Sequence, residues 1–165
     1  PVLSLRDASG RVLSGATTSP VVLNVPVAFV GLPYQVYVNG ALASSGTTSE
    51  NTNINVVNPE GKTVYARVER VSSDFKNTQT IKFATVNITT NSNQAVSTAN
   101  VGTILKANIS GITSTIVSFY FDGIVISRGT LGLHVLTQND MGNKVYCVVE
   151  DSDGFAYQSE TYTVP

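Results

Sequence analysis

The segment 61–69, GKTVYARVE, recurs as 142–150, GNKVYCVVE, and this repeated stretch indicates the fold. In both copies small or apolar residues alternate with larger or polar ones. Side chains on a β-strand point to opposite faces with a period of two. The pattern therefore predicts one buried face and one outer face on a long strand. We expect the inward residues to be Val64, Ala66 and Val68 in the first copy and Val145, Cys147 and Val149 in the second.

The repeat extends over nearly the whole chain of 165 residues. Residues 37–40, YVNG, match 120–123, YFDG, and both end in a dipeptide that favours a tight β-hairpin turn. Leu23 similarly lies over Leu105, and all these matches are separated by about 82 positions. The sequence therefore predicts two domains built alike, residues 1–84 and 85–165.

The remaining strands are predicted from alternation and from turn residues. The second strand of the first copy is expected to point Leu23, Val25 and Val27 inward. In the fifth strand of the second copy the phase is open, because Leu133 and Val135 compete with His134 and Leu136 for the core. No helical stripe is present, so we expect an all-β chain.

Composition excludes several classes of function. Charged residues make up 13% of the chain, and 10 basic and 11 acidic residues give a net charge of −1. A nucleic-acid footprint is not expected from this balance, nor is membrane insertion, because the most apolar stretch, 21–33, is too short and is broken by Pro and Gly. One Cys and one His leave too few ligands for a structural zinc site. We expect no cofactor.

The second copy resembles a known family of domains. Residues 102–107 (GTILKA), 119–123 (FYFDG), 140–142 (DMG) and 145–149 (VYCVV) resemble the immunoglobulin-like repeats of bacterial surface proteins and of tailed-phage virion proteins. The resemblance implies two tandem immunoglobulin-like antiparallel β-sandwiches. The chain departs from the disulfide-bonded antibody class, since it has no Trp and Ala107 stands where a partner for Cys147 is expected.

Two residue groups could suggest chemistry, and each has a plainer interpretation. Cys147 with His134 could form a thiol nucleophile and its base, but the first copy has Ala66 at the cysteine position, so we expect core packing. The acidic run 150–154 could bind calcium, yet Asp153 followed by Gly is what a hairpin turn requires. We therefore expect a protein that is not an enzyme.

One recurring pattern points outward. If the third and penultimate strands are neighbours, Tyr37 and Tyr65 share the outer face of copy one, with Arg67 beside them, and Tyr120 and Tyr146 share that of copy two. Such tyrosines suit contacts with a partner, or they form a cross-strand pair that only stiffens the sheet.

The surfaces of the two copies are predicted to differ around the penultimate strand. Copy one carries Arg67, Arg70 and Lys76, whereas copy two carries Val148, Asp151 and Asp153. One copy is therefore expected to dock on a protein shell while the other faces solvent.

The resemblance implies a structural or binding role at a surface. The first hypothesis is a tailed-phage virion protein, either a capsid decoration protein or a tail or fibre accessory. Its partner would be a capsid or tail protein, with weak contact to host-surface glycans. The alternative is a fragment of a bacterial cell-surface adhesin or an accessory glycan-binding module.

Overall fold

The computed structural model describes residues 2–165, with the side chains of residues 114 and 115 left aside. These residues form seventeen β-strands, three single-turn 3-10 helices and no α-helix. Their contacts divide the chain into two compact units, Pro1–Phe83 and Ala84–Pro165. The boundary expected from the repeat lies one residue from this division. In the described range, no helix has the length and apolar character needed to span a membrane.

Unit 1 consists of two sheets. Its strands are β1 (Ser4–Arg6), β2 (Gly15–Ala16), β3 (Val21–Asn24), β4 (Pro33–Val38), β5 (Ala41–Thr47), β6 (Asn51–Ile54), β7 (Thr63–Val71), β8 (Asp74–Asn77) and β9 (Ile81–Phe83), with a 3-10 turn at Val27–Phe29. One sheet has the order β1-β3-β6 and the other β2-β9-β7-β4-β5, with β8 also paired to β7. The pairing of β2 with β9 is parallel, and the other strand pairs are antiparallel.

Unit 2 has the same two-sheet arrangement without a counterpart of β2. Its strands are β10 (Thr85–Thr90), β11 (Ile104–Ser110), β12 (Ser114–Phe121), β13 (Ile124–Gly129), β14 (Leu133–Val135), β15 (Lys144–Asp151), β16 (Ala156–Gln158) and β17 (Tyr162–Thr163), with 3-10 turns at Val96–Thr98 and Gln138–Asp140. One sheet has the order β10-β11-β14 and the other β13-β12-β15-β16, with β17 also paired to β15.

The strand order identifies the architecture. In unit 1 the first, second and fifth main strands (β1, β3 and β6) form one sheet, and the third, fourth, penultimate and last (β4, β5, β7 and β8–β9) form the other. In unit 2 the corresponding groups are β10, β11 and β14, and β12, β13, β15 and β16–β17. Immunoglobulin-like sandwiches separate their strands in this way. The chain is therefore all-β, with two tandem immunoglobulin-like β-sandwiches, as the sequence predicts.

The core of each unit lies between its two sheets. Alternation along the penultimate strand is confirmed, because all six predicted inward side chains are fully buried. They are Val64, Ala66 and Val68 on β7 and Val145, Cys147 and Val149 on β15. The aromatic side chains of Phe83, Phe119 and Tyr157 are among the largest fully buried groups. Each unit has its own core cluster, so each buries its apolar face independently.

The predicted hairpin turns are present in both units. Asn39 and Gly40 join β4 to β5, Asp122 and Gly123 join β12 to β13, and all four residues have positive φ. Two-residue hairpin turns of this kind favour Asn-Gly and Asp-Gly sequences. The side chain of the first turn residue also accepts a backbone hydrogen bond from the penultimate strand, at 3.0 Å in unit 1 and 2.9 Å in unit 2.

A buried hydroxyl occupies the same place in each unit, beside the penultimate strand. Thr78 Oγ1 accepts a hydrogen bond from the Ala66 backbone N–H at 3.0 Å, and Ser159 Oγ accepts one from the Cys147 N–H at 2.9 Å. Because the last strand is interrupted at this level, the hydroxyl replaces a strand partner for the buried N–H. The two units therefore resemble each other in this buried hydrogen bond as well as in the composition of their separate cores.

The expectation that Val27 points inward is wrong. Strand β3 ends at Asn24, and the chain turns through Pro26 into the 3-10 helix, which leaves the Val27 side chain 89% exposed. Pro26 cannot donate to a ladder, so the strand does not continue through it. Phe29, two residues later, fills the core instead.

The structure also settles the phase of the fifth strand in unit 2. Leu136 is buried and the His134 side chain is only 10% exposed, whereas Leu133 and Val135 are exposed. His134 packs on the rings of Phe119 and Phe121, with centroids 5.9 and 4.9 Å away. The imidazole is therefore part of the unit 2 core.

Candidate partner-binding face

The predicted tyrosines of unit 1 meet on the outer side of the sheet. Strands β4 and β7 are antiparallel neighbours, and their register places Tyr37 directly opposite Tyr65. The two rings stack with centroids 5.0 Å apart and planes within 7°. Both side chains are half-buried. The inward register of Val36 and Ala66 forces the tyrosines outward, because neighbours on a strand point to opposite faces.

Arg67 extends this pair across the sheet. Its guanidinium carbon lies 4.9 Å from the centroid of the Tyr37 ring and 3.8 Å from that of Phe75, on the next strand. Gln35 holds the arrangement, since its Oε1 accepts hydrogen bonds from Arg67 Nε at 2.7 Å and from the Tyr37 hydroxyl at 3.1 Å. The set Gln35, Tyr37, Tyr65, Arg67 and Phe75 is called here the Tyr37 face.

Sequence reasoning missed Gln35 and Phe75. Gln35 lies two residues before Tyr37 on β4, so the same alternation that selected the tyrosine could have selected it. Phe75 lies on β8, which pairs with β7 after a tight turn, and its closeness to Arg67 depends on that register. That register is not encoded in the spacing of apolar residues.

Unit 2 keeps the tyrosine pair but not its extension. Tyr120 lies opposite Tyr146, and their rings stack at 5.0 Å with planes within 6°. The positions equivalent to Gln35, Arg67 and Phe75 are occupied by Ser118, Val148 and Ala156. The stacked tyrosine pair is therefore common to both units. Arg67, Gln35 and Phe75 have no counterpart of the same kind in unit 2.

Ring stacking, cation–π contacts and hydrogen bonds order the side chains of the Tyr37 face around the Arg67 guanidinium. Stacked aromatic pairs contribute about 0.5–1.5 kcal/mol beyond their buried area, and a guanidinium over a ring adds about 0.5–1 kcal/mol at exposed sites. A guanidinium remains charged throughout the physiological pH range. The face can therefore present a preorganised cation, phenol hydroxyls and aromatic edges to a partner.

The predicted difference in surface charge is only partly correct. In unit 1, Arg70 pairs with Asp74 at 3.1 Å and Lys76 is exposed. In unit 2, however, Asp151 is 5% exposed and is not a surface residue. It shares the inward phase of β15, which alternation could have revealed.

The Asp151 carboxylate organises a turn. Its oxygens accept hydrogen bonds from the backbone N–H groups of Asp153 and Phe155 and from the hydroxyl of Tyr157, at 2.9 to 3.1 Å. Burial is the largest cause that raises the pKa of the Tyr157 hydroxyl, and the neighbouring Asp151 is the next. In the part of the chain that is described, no cluster of three His, Cys, Asp or Glu side chains could hold a metal ion. The three hydrogen bonds to the Asp151 carboxylate support the turn interpretation of residues 150–154.

Cys147 lies in the core of unit 2, away from water. Burial raises the pKa of its thiol to about 11, so the thiol is protonated at neutral pH. His134, the other half of the considered pair, instead lies 2.9 Å from Asp140, measured from Nε2 to Oδ2. Each residue therefore has a structural role.

A polar cleft lies on the other sheet of unit 1. It has a volume of about 440 Å³, and its lining includes Arg6, Asn24, Asn51 and Asn53 beside the turn at 7–10. The side chain of Asn24 donates to that of Asn51 at 2.9 Å. Amide and guanidinium groups of this kind can exchange hydrogen bonds with a hydroxylated ligand. Alternation along single strands gives no sign of this cleft, because Arg6, Asn24 and Asn53 lie on three different strands.

Comparisons with known proteins do not extend beyond the fold. No protein-family model matches the chain, and no curated protein matches it significantly. Among solved structures, the fibronectin(III)-like modules of Clostridium thermocellum CbhA share 13% identity over 99% of this chain and 94% of that chain, with a TM-score of 0.38. SGBP-B of the Bacteroides ovatus mixed-linkage glucan utilization locus, in complex with a mixed-linkage heptasaccharide, shares 13% identity over 100% of this chain and 46% of that chain, with a TM-score of 0.33.

A 1.5-MDa bacterial ice-binding adhesin shares 15% identity over 98% of this chain and 63% of that chain, with a TM-score of 0.30. At TM-scores of this size, the assignment of the fold rests on the strand order within each unit.

Proposed function

We propose that the chain is a non-enzymatic binding protein of a tailed-phage virion, and most simply a capsid decoration protein or a tail or fibre accessory. It docks on a capsid or tail protein at the virion surface and displays an immunoglobulin-like domain. The resemblance of residues 102–107, 119–123, 140–142 and 145–149 to repeats displayed on such particles supports this proposal.

The Tyr37 face is the observation that carries the docking role. Tyr and Arg are enriched among the residues that dominate binding energy in protein interfaces. Here the rings of Tyr37 and Tyr65 and the guanidinium of Arg67 are already held by stacking and by Gln35. Groups that are ordered before binding lose less conformational entropy when the partner arrives. This favours unit 1 as the docking half.

Unit 2 serves as the displayed half in this proposal. It has the same stacked tyrosine pair but lacks the Arg, Gln and Phe that extend the unit 1 face. Weak contact with host-surface glycans is the role we assign to its exposed surface. The buried thiol of Cys147, with its raised pKa, supports the non-enzymatic part of the proposal.

Co-sedimentation of the full chain with undecorated particles tests the docking role. We expect Arg67→Ala to weaken particle binding at least tenfold, the effect of losing a binding hot spot. Tyr120→Ala, on the stacked pair of unit 2, is the control and should leave binding unchanged. Loss of binding in the control alone would reverse the roles of the two units, and absence of binding by the unmodified chain would remove the virion proposal.

The polar cleft supports one alternative, a bacterial cell-surface adhesin fragment or an accessory glycan-binding module. Asn24, Asn51 and Asn53 offer paired donors and acceptors to sugar hydroxyls. Titration with neutral oligosaccharides, followed by NMR of the side-chain amides, tests it. Shifts at these three amides, abolished by Asn53→Ala, would favour the alternative. Unchanged amide signals up to millimolar sugar would exclude it.

A further inference from the structure

Unit 2 exposes apolar side chains on and beside the edge strands of its two sheets. The edge strand β13 carries Ile124, Val125 and Ile126, and the segment that follows carries Leu131, Leu133 and Val135. Their exposed fractions run from 43% for Leu133 to 82% for Leu131. Isolated exposed apolar residues are ordinary, whereas apolar patches of a few hundred Å² on soluble proteins are often functional. These six residues are called here the unit 2 apolar edge.

The topology places both parts of this set on the same side of the unit. Within the described residues, β13 pairs only with β12 and β14 only with β11, so each strand is the edge of its own sheet. The connection at 130–132 runs directly from one edge to the other. Its Gly132 carbonyl accepts a hydrogen bond from the Ala107 N–H at 2.9 Å. A Cβ added at Gly132 would lie 3.5 Å from side-chain atoms of Ala107 in one sheet and of Val117 in the other.

Unit 1 shows that the fold does not require four of these six apolar residues. At the positions of Ile124 and Ile126 unit 1 has alanines, on strand β5, and at those of Leu133 and Val135 it has asparagines, on strand β6. The corresponding residues of unit 1 are Ala41, Ala43, Asn51 and Asn53. Both units have the same edge-strand register shift, opposite Val36–Tyr37 and Phe119–Tyr120. The difference therefore lies in surface chemistry and not in backbone structure.

The size of the patch suits a protein interface. A fully exposed Val, Leu or Ile side chain loses about 60–120 Å² of accessible area when it is buried, so six side chains at these exposures offer roughly 200–400 Å² of apolar area. A stable interface takes about 800 Å² from each partner, of which roughly 450 Å² is apolar. The unit 2 apolar edge thus supplies about half or more of the apolar surface that one side of a stable dimer needs.

We propose that the unit 2 apolar edge is a two-fold interface with a second copy of this chain. A second copy brings an equal apolar patch, and a two-fold contact buries both patches at once. The charges on the edge permit it. Arg128 is the one charged residue of β13, and its guanidinium already pairs with Glu150 at 3.2 Å. An antiparallel contact centred on Ile126 brings Arg128 opposite Ile124 of the second copy, so like charges do not meet.

This inference goes beyond the proposed function, because it concerns the free protein and needs no particle. Sedimentation equilibrium of the full chain over micromolar to submillimolar concentrations measures it directly. We expect a weak, reversible dimer, because standard interfaces span micromolar to picomolar dissociation constants and this edge supplies only part of the apolar area of such an interface. A chain that stays monomeric at about 0.5 mM would overturn the proposal, whatever the result of the particle experiment.

The internal repeat supplies matched substitutions for locating the interface. One double variant carries Ile124→Ala and Ile126→Ala, and the other carries Leu133→Asn and Val135→Asn, so that each places unit 1 residues in unit 2. We expect either variant to raise the dimer dissociation constant at least tenfold. Leu42→Ala, on the equivalent edge of unit 1, is the control and should leave the constant unchanged.

A third variant guards against loss of folding. Leu131→Ser changes the most exposed member of the set, which lies outside the strands, and it should also weaken the dimer while the unfolding midpoint stays constant. An unchanged dissociation constant in Leu131→Ser and in both double variants would overturn the proposal. An effect of Leu42→Ala equal to theirs would overturn it as well.

Discussion

His134 Nε2 lies 2.9 Å from Asp140 Oδ2, and both side chains are almost completely removed from solvent. The same carboxylate oxygen accepts hydrogen bonds from the backbone N–H and the hydroxyl of Thr137, at 2.8 and 3.1 Å. One carboxylate thereby joins the fifth strand of unit 2 to the turn that introduces the penultimate strand. Unit 1 has Pro59 at the position of Asp140 and lacks this connection.

The first prediction concerns acid stability. Burial alone would raise the pKa of Asp140, but the hydrogen bonds from Thr137 and His134 outweigh it and lower the pKa below its ordinary value of 3.8. A carboxylate with a lowered pKa in the folded state stabilises that state above the unfolded pKa, and this contribution is lost as the pH falls through the folded pKa. Asp140→Asn should therefore destabilise unit 2 by about 1–3 kcal/mol at pH 7.

Urea unfolding at pH 7 and at pH 3 or below checks this. The difference between Asp140→Asn and the unmodified chain should shrink in acid, because protonation removes the charge that the variant lacks. Pro59 gives unit 1 no equivalent group, so its transition serves as the internal control. An equal difference at both pH values would show that the charge of Asp140 does not matter.

The second prediction concerns the aromatic core of unit 2. Phe119 is 1% exposed and contacts the ring of His134, so Phe119→Ala removes a fully buried ring and leaves a cavity. We expect a loss of about 3–5 kcal/mol in the free energy of unfolding of unit 2. In unit 1, Leu42→Ala at an exposed position should change the free energy of unfolding by less than about 0.5 kcal/mol. Chemical unfolding followed by circular dichroism measures both.

The third prediction concerns the thiol. With a pKa of about 11 and no exposed surface, Cys147 should not react with a disulfide reagent at pH 8 in the folded chain, and should react rapidly in denaturant. Cys147→Ala places the unit 1 residue at this position and should cost only about 1 kcal/mol. Fast labelling of the native protein would contradict the buried placement.

The fourth prediction concerns the hydroxyls of Thr78 and Ser159. Each accepts a hydrogen bond from a buried backbone N–H of the penultimate strand. Thr78→Val and Ser159→Ala leave that N–H without its partner, at a cost of about 1–3 kcal/mol each. Hydrogen exchange should show faster exchange at Ala66 and Cys147 respectively. Unchanged protection factors at these two amides would count against the role assigned to the hydroxyls.

The parts of the fold that local alternation determines could be predicted from the sequence. Val64, Ala66 and Val68 follow a clean period of two, and the same period places Tyr65 on the opposite face. Where apolar residues occupy both sets of alternating positions in and beside a short strand, the sequence does not show which face is buried. The three residues of β14 therefore do not determine on which face of the strand His134 lies. Its inward position depends on packing against Phe119 and Phe121.

The candidate site was only partly predictable for a related reason. The pairing of Tyr37 with Tyr65 follows from the sequence if the third and penultimate strands are neighbours. Phe75 required the register between β7 and β8, and the hydrogen bonds of Gln35 required side-chain conformations. The prediction that Val27 points inward is wrong because its position fits the alternation of strand β3. The strand ends before Pro26, where the chain turns out of the sheet.

The opening segment of unit 1 belongs to both of its sheets. Strand β1 pairs antiparallel with β3 in one sheet, and β2 pairs parallel with β9, the last strand of the unit, in the other. Tension applied between the two ends of the unit would pull β2 and β9 in opposite directions along their length. The backbone hydrogen bonds between them would then be loaded together in shear instead of opening one at a time. Within residues 84–165 the structure contains no such parallel pair, so this shear geometry is confined to unit 1.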